Sequence, residues 1–495
     1  MRRPFFLIIA ALSTTMLLQA CKSVQPTQDP VSATQTAMNN TDFNLPEIPP
    51  AKLFQHPTPE IFELNNGMTV WYVHNPMIPL MTLRVVFDHG AADDPADKSG
   101  RTSMTSAMLK EGANGKTAQQ LSNDIESLGA TISPFVTQDS SGITVQSLSQ
   151  FFEQSLDIMN DIWLKPDFTQ ESFDRLQKII LNGLKQREDS PNAISKLASN
   201  RAYFGDDHPY GRSVDGYIST ITSMTIEDVK SCYQSIFAPS RAAFIAVGNI
   251  ETAELKRILN DRYGSLKYEK QADVDAKPVE PEHKLKVAIV DKPNAPQTVI
   301  RIYQPAIQAT SMKTLTWQFV NIPFGGSFTS RLMQNIREDK GYSYGANSAV
   351  APQKYAGVLL SSSAVSSDVT GPALKEFIYE LDRLPKGDFT QEEFERARET
   401  WKSELVQSFE TQSGVLATIA ALYLNRKSTD AINGFARELQ SYDLDKFNAI
   451  AKEFPTLDQA TIVLVGDKNL ILEQIKDLGL PEPEIRDVEG KLVNN

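Results

Sequence analysis

FTQESFDR, residues 168–175, and FTQEEFER, residues 389–396, are near copies of one another set 221 positions apart. Farther along, FIAVGNI at 244–250 is answered by IVLVGDK at 462–468, with Val247 and Val465 separated by 218 positions. Two separate matches at nearly the same offset mark an internal duplication, and a period this long is a whole domain rather than a solenoid unit. Between the copies, KYEKQADVDAKPVEPEHK, residues 267–284, is charged, contains Pro and is poor in apolar residues, as expected of an interdomain linker. The chain therefore divides into halves at 51–266 and 285–486, with a polar tail at 487–495.

Within the first half, MTVWYVH (68–74), MTLRVVFDHG (81–90) and GITVQSLS (142–149) read as β-segments bounded by turn residues. AQQLSNDIESLG (118–129) reads as a helix with Gly129 just past its end. In FDRLQKIILNGLKQR (173–187), Phe173, Leu176, Ile180 and Leu184 recur at helical spacing. Gly183 inside that helix costs about 1 kcal/mol against Ala. The order strand, strand, helix, helix, strand favours an α+β fold over alternating βαβ units, with a sheet layered by helices in each half.

The 495 residues exceed one compact core, and 41% hydrophobic with 22% charged residues is ordinary globular composition. The first twenty residues differ. Arg2 and Arg3 precede an apolar run, and Leu18-Gln19-Ala20 leads into Cys21. This reads as a signal peptide over 1–20, too short in its apolar core to span a bilayer. The Leu-Gln-Ala-Cys box resembles the bacterial lipoprotein signal, which implies lipid on Cys21; Lys22 in the second mature position resembles lipoproteins passed to the outer membrane, facing the periplasm of a Gram-negative cell. Residues 21–50, rich in Ser, Thr, Gln, Asn and Pro, suit a flexible tether. Net charge is −12, and removing residues 1–20 takes away two Arg and no acid, giving −14. Such a surface suits neither nucleic acid nor an anionic bilayer face. With Cys21 acylated, Cys232 has no disulfide partner, and its setting in DVKSCYQSIF predicts a half-buried helix and an inert thiol.

KSGRTSMTSAMLKEG, residues 98–112, resembles the metal-binding helix of the insulinase/pitrilysin-type zinc peptidases with every ligand missing. In that family H-x-x-E-H follows a Gly, two His one turn apart hold zinc, and the Glu activates water. Counting from Gly100, the matching positions are Ser103, Ser106 and Ala107, and the third ligand, a Glu on a later helix, falls on Gly183. The resemblance covers residues 58 to 480 and implies two sheet-and-helix domains facing each other, half of a clamshell like that of the mitochondrial processing peptidases. It also implies that this chain binds no zinc and runs no metal-assisted hydrolysis alone.

In the second half, PFGGSFTSRLMQNIREDKGYSYG (323–345) resembles the family's segment in which an Arg and, seven residues on, a Tyr reach the scissile carbonyl; these positions are Arg337 and Tyr344. Guanidinium and phenol are both donors, and donors held at a developing oxyanion lower an acyl-transfer barrier by a few kcal/mol. Ser327 is placed to cap a helix through Leu332 and Ile336, Gly341 allows that helix to stop, and Tyr342, Tyr344 and Ala346 are expected on one face of the next strand. Gly325, Gly326 and Ser327 suit close backbone approach, as at a peptide-binding edge or a tight turn. The bland alternative makes Arg337 a helix-end charge and Tyr344 a core aromatic.

The histidines, His56, His74, His89, His208 and His283, include no pair at metal-ligand spacing, so His89 and His208 read as structural. The family contains two-chain peptidases in which one subunit carries the zinc motif and the other does not. The resemblance implies the second kind: a lipid-anchored, non-metal-binding subunit that binds peptides and supplies Arg337 and Tyr344 to the site of a partner with intact H-x-x-E-H, where zinc is expected. The rival reading is a non-catalytic peptide-binding or assembly scaffold at the outer membrane. Hydrolysis by a non-metal site is a third.

Overall fold

The duplicated octapeptides are helix starts. Thr169 accepts from the backbone N–H of Ser172 at 3.2 Å, and Thr390 accepts from that of Glu393 at 3.3 Å while the Glu393 carboxylate reaches back to the Thr390 N–H at 2.8 Å. The two 18-residue helices that follow span Gln170–Arg187 and Gln391–Ser408. The structure, a computed structural model, describes residues 55–268 and 280–493. Cys21 with its lipobox, the tether region to residue 50 and most of the 267–284 linker lie outside the described residues. Among the described residues no helix is long and apolar enough to cross a membrane.

The first sheet contains β1 (Glu60–Glu63), β2 (Thr69–His74), β3 (Leu80–Phe87), β4 (Thr131–Val136), β5 (Ser141–Leu148) and β6 (Ala242–Gly248), in the spatial order β1-β2-β6-β3-β5-β4. The second contains β7 (Lys286–Asp291), β8 (Gln297–Ala306), β9 (Ser343–Pro352), β10 (Gly357–Ser366), β11 (Thr461–Gly466) and β12 (Glu484–Arg486), in the order β9-β10-β8-β11-β7-β12. Reversing the second list superposes five strands: β2 on β7, β6 on β11, β3 on β8, β5 on β10 and β4 on β9. Both copies are mainly antiparallel, with β2 and β6, and likewise β7 and β11, running parallel. The copies part at one edge: β1 is an antiparallel neighbour of β2, whereas β12 comes from the end of the chain and lies parallel to β7. The expected α+β architecture of two similar sheet-and-helix layers is the one observed.

Strands β6 and β11 are buried along their whole length, so both faces of each sheet must be covered. We label five helices: α1 (Arg101–Met108), α2 (Gln170–Arg187), α3 (Pro191–Phe204), α4 (Gln391–Ser408) and α5 (Gln412–Leu424). One face of each sheet is covered by helices of its own half; on the first, Leu156, Met159, Trp163 and Leu255 join Leu83, Val85 and Phe244 in one core. The other face is covered by exchange. Helix α3 of the first half lays Ile194, Ala198 and Ala202 on Ala288, Val290, Val463 and Val465 of the second sheet. Helix α5 of the second half lays Val415, Leu416, Ile419 and Ala420 on Val73, Val86, Ile245 and Val247 of the first. Each buried Val, Leu or Ile side chain contributes roughly 1.5–3 kcal/mol. The halves therefore complete one another's cores.

Candidate functional site

Helix α1 begins at Gly100, whose backbone is left-handed at φ 91° and crosses the loop at Gly216 so closely that a Cβ would lie 2.8 Å from the Gly216 Cα. Only glycine fits there. The orphan N–H groups of the first turn are met from six residues upstream: the buried Asp94 carboxylate accepts from Gly100 N at 3.1 Å, Thr102 N at 3.1 Å and Thr102 Oγ1 at 2.6 Å, with Arg101 at 3.5 Å. Burial pushes this carboxyl up to about 6, against the pull of those hydrogen bonds and of Arg101. Asp94 was not evident from sequence, since helix N-caps are sought immediately before the first turn.

Ser103, Ser106 and Ala107 line one cleft of about 370 Å³ between α1 and β4, together with Pro134, Phe135 and Asp215. Gly183 is exposed on α2 and does not join that lining. Zinc does not fit this set. Ala107 and Gly183 carry no donor atom, and the Ser103 hydroxyl is spent on the carbonyl of Val214 at 2.8 Å. Ser99 Oγ donates to Ser213 O at 2.7 Å, while Arg187, at the end of α2, bonds Ser213 Oγ and Gly216 O at 3.0 Å each. The helix that resembles a metal site is stitched to the 213–216 loop. Among the described residues no group of three or more His, Cys, Asp or Glu is placed to hold a metal ion.

In the second half, two local expectations are corrected. The helix after the glycines is capped by Ser330, whose side chain accepts from Met333 N, and not by Ser327, where the chain is still extended at φ −131° and ψ 165°. A bulge between Ser343 and Ala346 breaks the strand alternation, fixed by Gly345 N–H on Ser343 Oγ at 3.1 Å and Gly345 O on Ser363 Oγ at 2.8 Å. Ala346 is consequently buried while Tyr344 is 94% exposed, and the two do not share a face. Gly341, at φ 65°, does end the helix, its N–H meeting the Arg337 carbonyl at 3.0 Å.

Arg337 is half-exposed on a π-helical turn, Gln334–Asp339. Its guanidinium lies 4.7 Å from the ring centre of Phe328, itself 65% exposed, and Glu338 is 3.4 Å away. Phe328 sits between the glycines and the helix and was not singled out by sequence; an aromatic directly after Gly-Gly-Ser was the available signal. Gly325 is buried, and a Cβ there would come 2.3 Å from Ser348 Oγ, so this glycine lets a π-helical turn (Ile322–Gly326) lie on β9. Gly326 is exposed and Ser327 partly so.

The remaining candidates are structural. His208 stacks on Phe204 at 4.8 Å and accepts the Tyr210 N–H at 3.0 Å, and burial pushes its ring down to about 4. His89 lies between Asp93 and Arg241. Cys232 is fully buried in the helix Ile226–Ile236, and burial raises its thiol, consistent with an inert role.

Two duplicated sheet-and-helix halves, with Ser103, Ser106 and Ala107 on the first helix where the resemblance places metal ligands, fit a relative of the inverted zincins. Residues 69–213 match the family described as insulinase, peptidase family M16, and residues 223–400 match the peptidase M16 inactive domain. The chain belongs to the insulinase family of M16 peptidases. An uncharacterized zinc protease of Bacillus subtilis is 21% identical over 410 residues, 83% of this chain and 98% of its own. A crystal structure of a peptidase M16 inactive domain from Pseudomonas fluorescens matches with a TM-score of 0.77 at 22% identity, covering 83% of this chain and 98% of its own. The first half of the periplasmic protease PqqL from Escherichia coli matches with a TM-score of 0.69 at 17% identity, covering 86% of this chain and 95% of its own; against the whole PqqL chain the coverage of that chain is 50%.

Proposed function

We propose that this chain is the non-metal-binding subunit of a two-chain insulinase-family peptidase, presenting Arg337 and Tyr344 as donors to the carbonyl oxygen of a peptide held at a partner that carries H-x-x-E-H and zinc. One contrast carries the reading: the hydroxyl at Ser103 is committed to internal bonding, whereas the Tyr344 phenol stands 94% exposed with Arg337 held nearby in sequence over Phe328. An exposed phenol is free to donate to a carbonyl presented by a partner. That this chain matches half of PqqL supports a second body of similar size, here on a separate chain. By the same reading Cys21 is acylated and holds the complex to the outer membrane on its periplasmic side.

The test is reconstitution. The isolated chain is expected to cleave nothing, and mixing with the H-x-x-E-H chain of the same cell to yield peptidase activity. Removing one such donor, by Arg337→Ala or Tyr344→Phe, is expected to lower kcat about a hundredfold. Full activity of both variants in the pair removes the catalytic role. Metabolic labelling with palmitate, lost in Cys21→Ala, checks the anchor.

A further inference from the structure

The edge of the first sheet beside the emptied metal helix is β4, and its backbone parity follows from the hairpin that ends it. Thr137 N–H donates to Ser140 O at 2.7 Å, so this pair is hydrogen-bonded. Stepping back through the register, Phe135 with Gly142, Ser133 with Thr144 and Thr131 with Gln146 are the bonded pairs. Ile132, Pro134 and Val136 therefore turn their backbone groups away from β5, toward the outer edge, where Ile132 is buried and Pro134 and Val136 are partly exposed; none of those groups has a backbone partner among the described residues. A strand added at the accessible part of this edge would pair with Pro134 and Val136. Val136 offers an N–H and a C=O, whereas Pro134 has no N–H, and both line the cleft with Ser103, Ser106 and Ala107.

The matching edge of the second sheet is closed by another device. Gln353 N–H donates to Ala356 O at 2.8 Å, which by the same count turns Ala346, Ser348 and Val350 outward. The Ser348 carbonyl is taken by Asn321 Nδ2 at 3.0 Å, and the turn at Gly325 lies over the Ser348 N–H, to which a Cβ on Gly325 would come within 2.6 Å. Neither sheet offers an uninterrupted ladder beside its helix.

We infer that Pro134 is a specificity-determining residue that weakens the pairing of extended peptides with the edge of the first-half cleft by withholding one of its N–H donors. Proline on an edge strand is a known way of blocking added strands. The inference concerns this chain alone and stands whether or not a metal-bearing partner exists.

The full chain is titrated into a fluorescein-labelled twelve-residue peptide of alternating Thr and Val, followed by anisotropy. Pro134→Ala supplies the missing donor and is expected to tighten binding about fivefold, the worth of one net hydrogen bond. Hydrogen exchange on that variant is expected to show peptide-dependent protection over residues 131–136. Pro134→Val, which favours strand geometry, serves the same purpose if the alanine variant does not fold. Binding by both variants no tighter than by the parent, undetectable binding by all three, or a gain without protection at 131–136 overturns the inference.

Discussion

The backbone N–H of Tyr355 donates to the hydroxyl of Tyr210 at 3.1 Å, and that hydroxyl in turn donates to the carboxylate of Asp139. Asp139 lies in the turn joining β4 to β5, and Tyr355 in the turn joining β9 to β10, so the tips of two equivalent hairpins meet on one phenol. Lys354 adds its own N–H to Asp139 at 3.0 Å and its ammonium to Asp88 at 3.4 Å. Tyr210 is fully buried, and Tyr210→Phe leaves a donor and an acceptor without their shared partner. The expected loss is about 1–3 kcal/mol in urea unfolding. A change below a few tenths would show that the tips meet without mutual support.

The exchanged helices make a stronger coupling. Ile419 belongs to the second half by sequence but packs on Ile245 and Val247 of the first sheet. Ile419→Ala is expected to cost about 2–5 kcal/mol and to speed amide exchange in β6 as much as in α5. If β6 keeps its protection, the exchange is decorative and the halves are independent. With it, unfolding is expected as a single transition despite the duplication.

The duplication was legible because it is written in near-identical local runs, and α2 because Phe173, Leu176, Ile180 and Leu184 recur at helical spacing; the caps at Thr169 and Thr390, though local, went unread. Which sheet α3 or α5 would cover was not legible, since an apolar helix face does not name its partner. Strand β4 went unread because Pro134 argues against a strand, and proline is tolerated only at an edge, a fact of topology and not of sequence. The bulge that turns Tyr344 outward depends on Ser363, twenty residues from Ser343 and brought beside it by β10. Of the sites, the missing ligands were readable as residue types, but the use made of Ser103 and the part played by Asp94 are tertiary contacts.

Asp94 gives stability a pH signature. Its folded carboxyl titrates near 6, above the ordinary 3.8, so between these values the folded state holds a proton that the unfolded chain releases. Its contribution is therefore fully present below pH 3.8, falls as pH rises through 6, and is flat above. Asp94→Asn cannot titrate. Subtracting its unfolding free energy from that of the parent at each pH from 4 to 7.5 is expected to give a difference that declines by no more than about 3 kcal/mol across this window. A rising or flat difference would mean that the hydrogen bonds from Gly100 and Thr102 outweigh burial.

Gly183 stands where the resemblance places the family's third metal ligand. Its φ is not in the left-handed region, and a Cβ would meet nothing within 4 Å, so neither backbone geometry nor packing requires a glycine inside α2. Gly183→Ala is accordingly expected to raise stability by up to about 1 kcal/mol, mainly by narrowing the unfolded ensemble. Gly183→Glu restores the carboxylate into open space and is expected to fold as well. It gains no zinc, because Ser103 remains bonded to Val214 and Ala107 offers no donor atom. Calorimetric titration with Zn²⁺ reads the second outcome, and a stoichiometric site in Gly183→Glu would mean that the first half keeps metal ligands which Ser103, Ser106 and Ala107 do not provide.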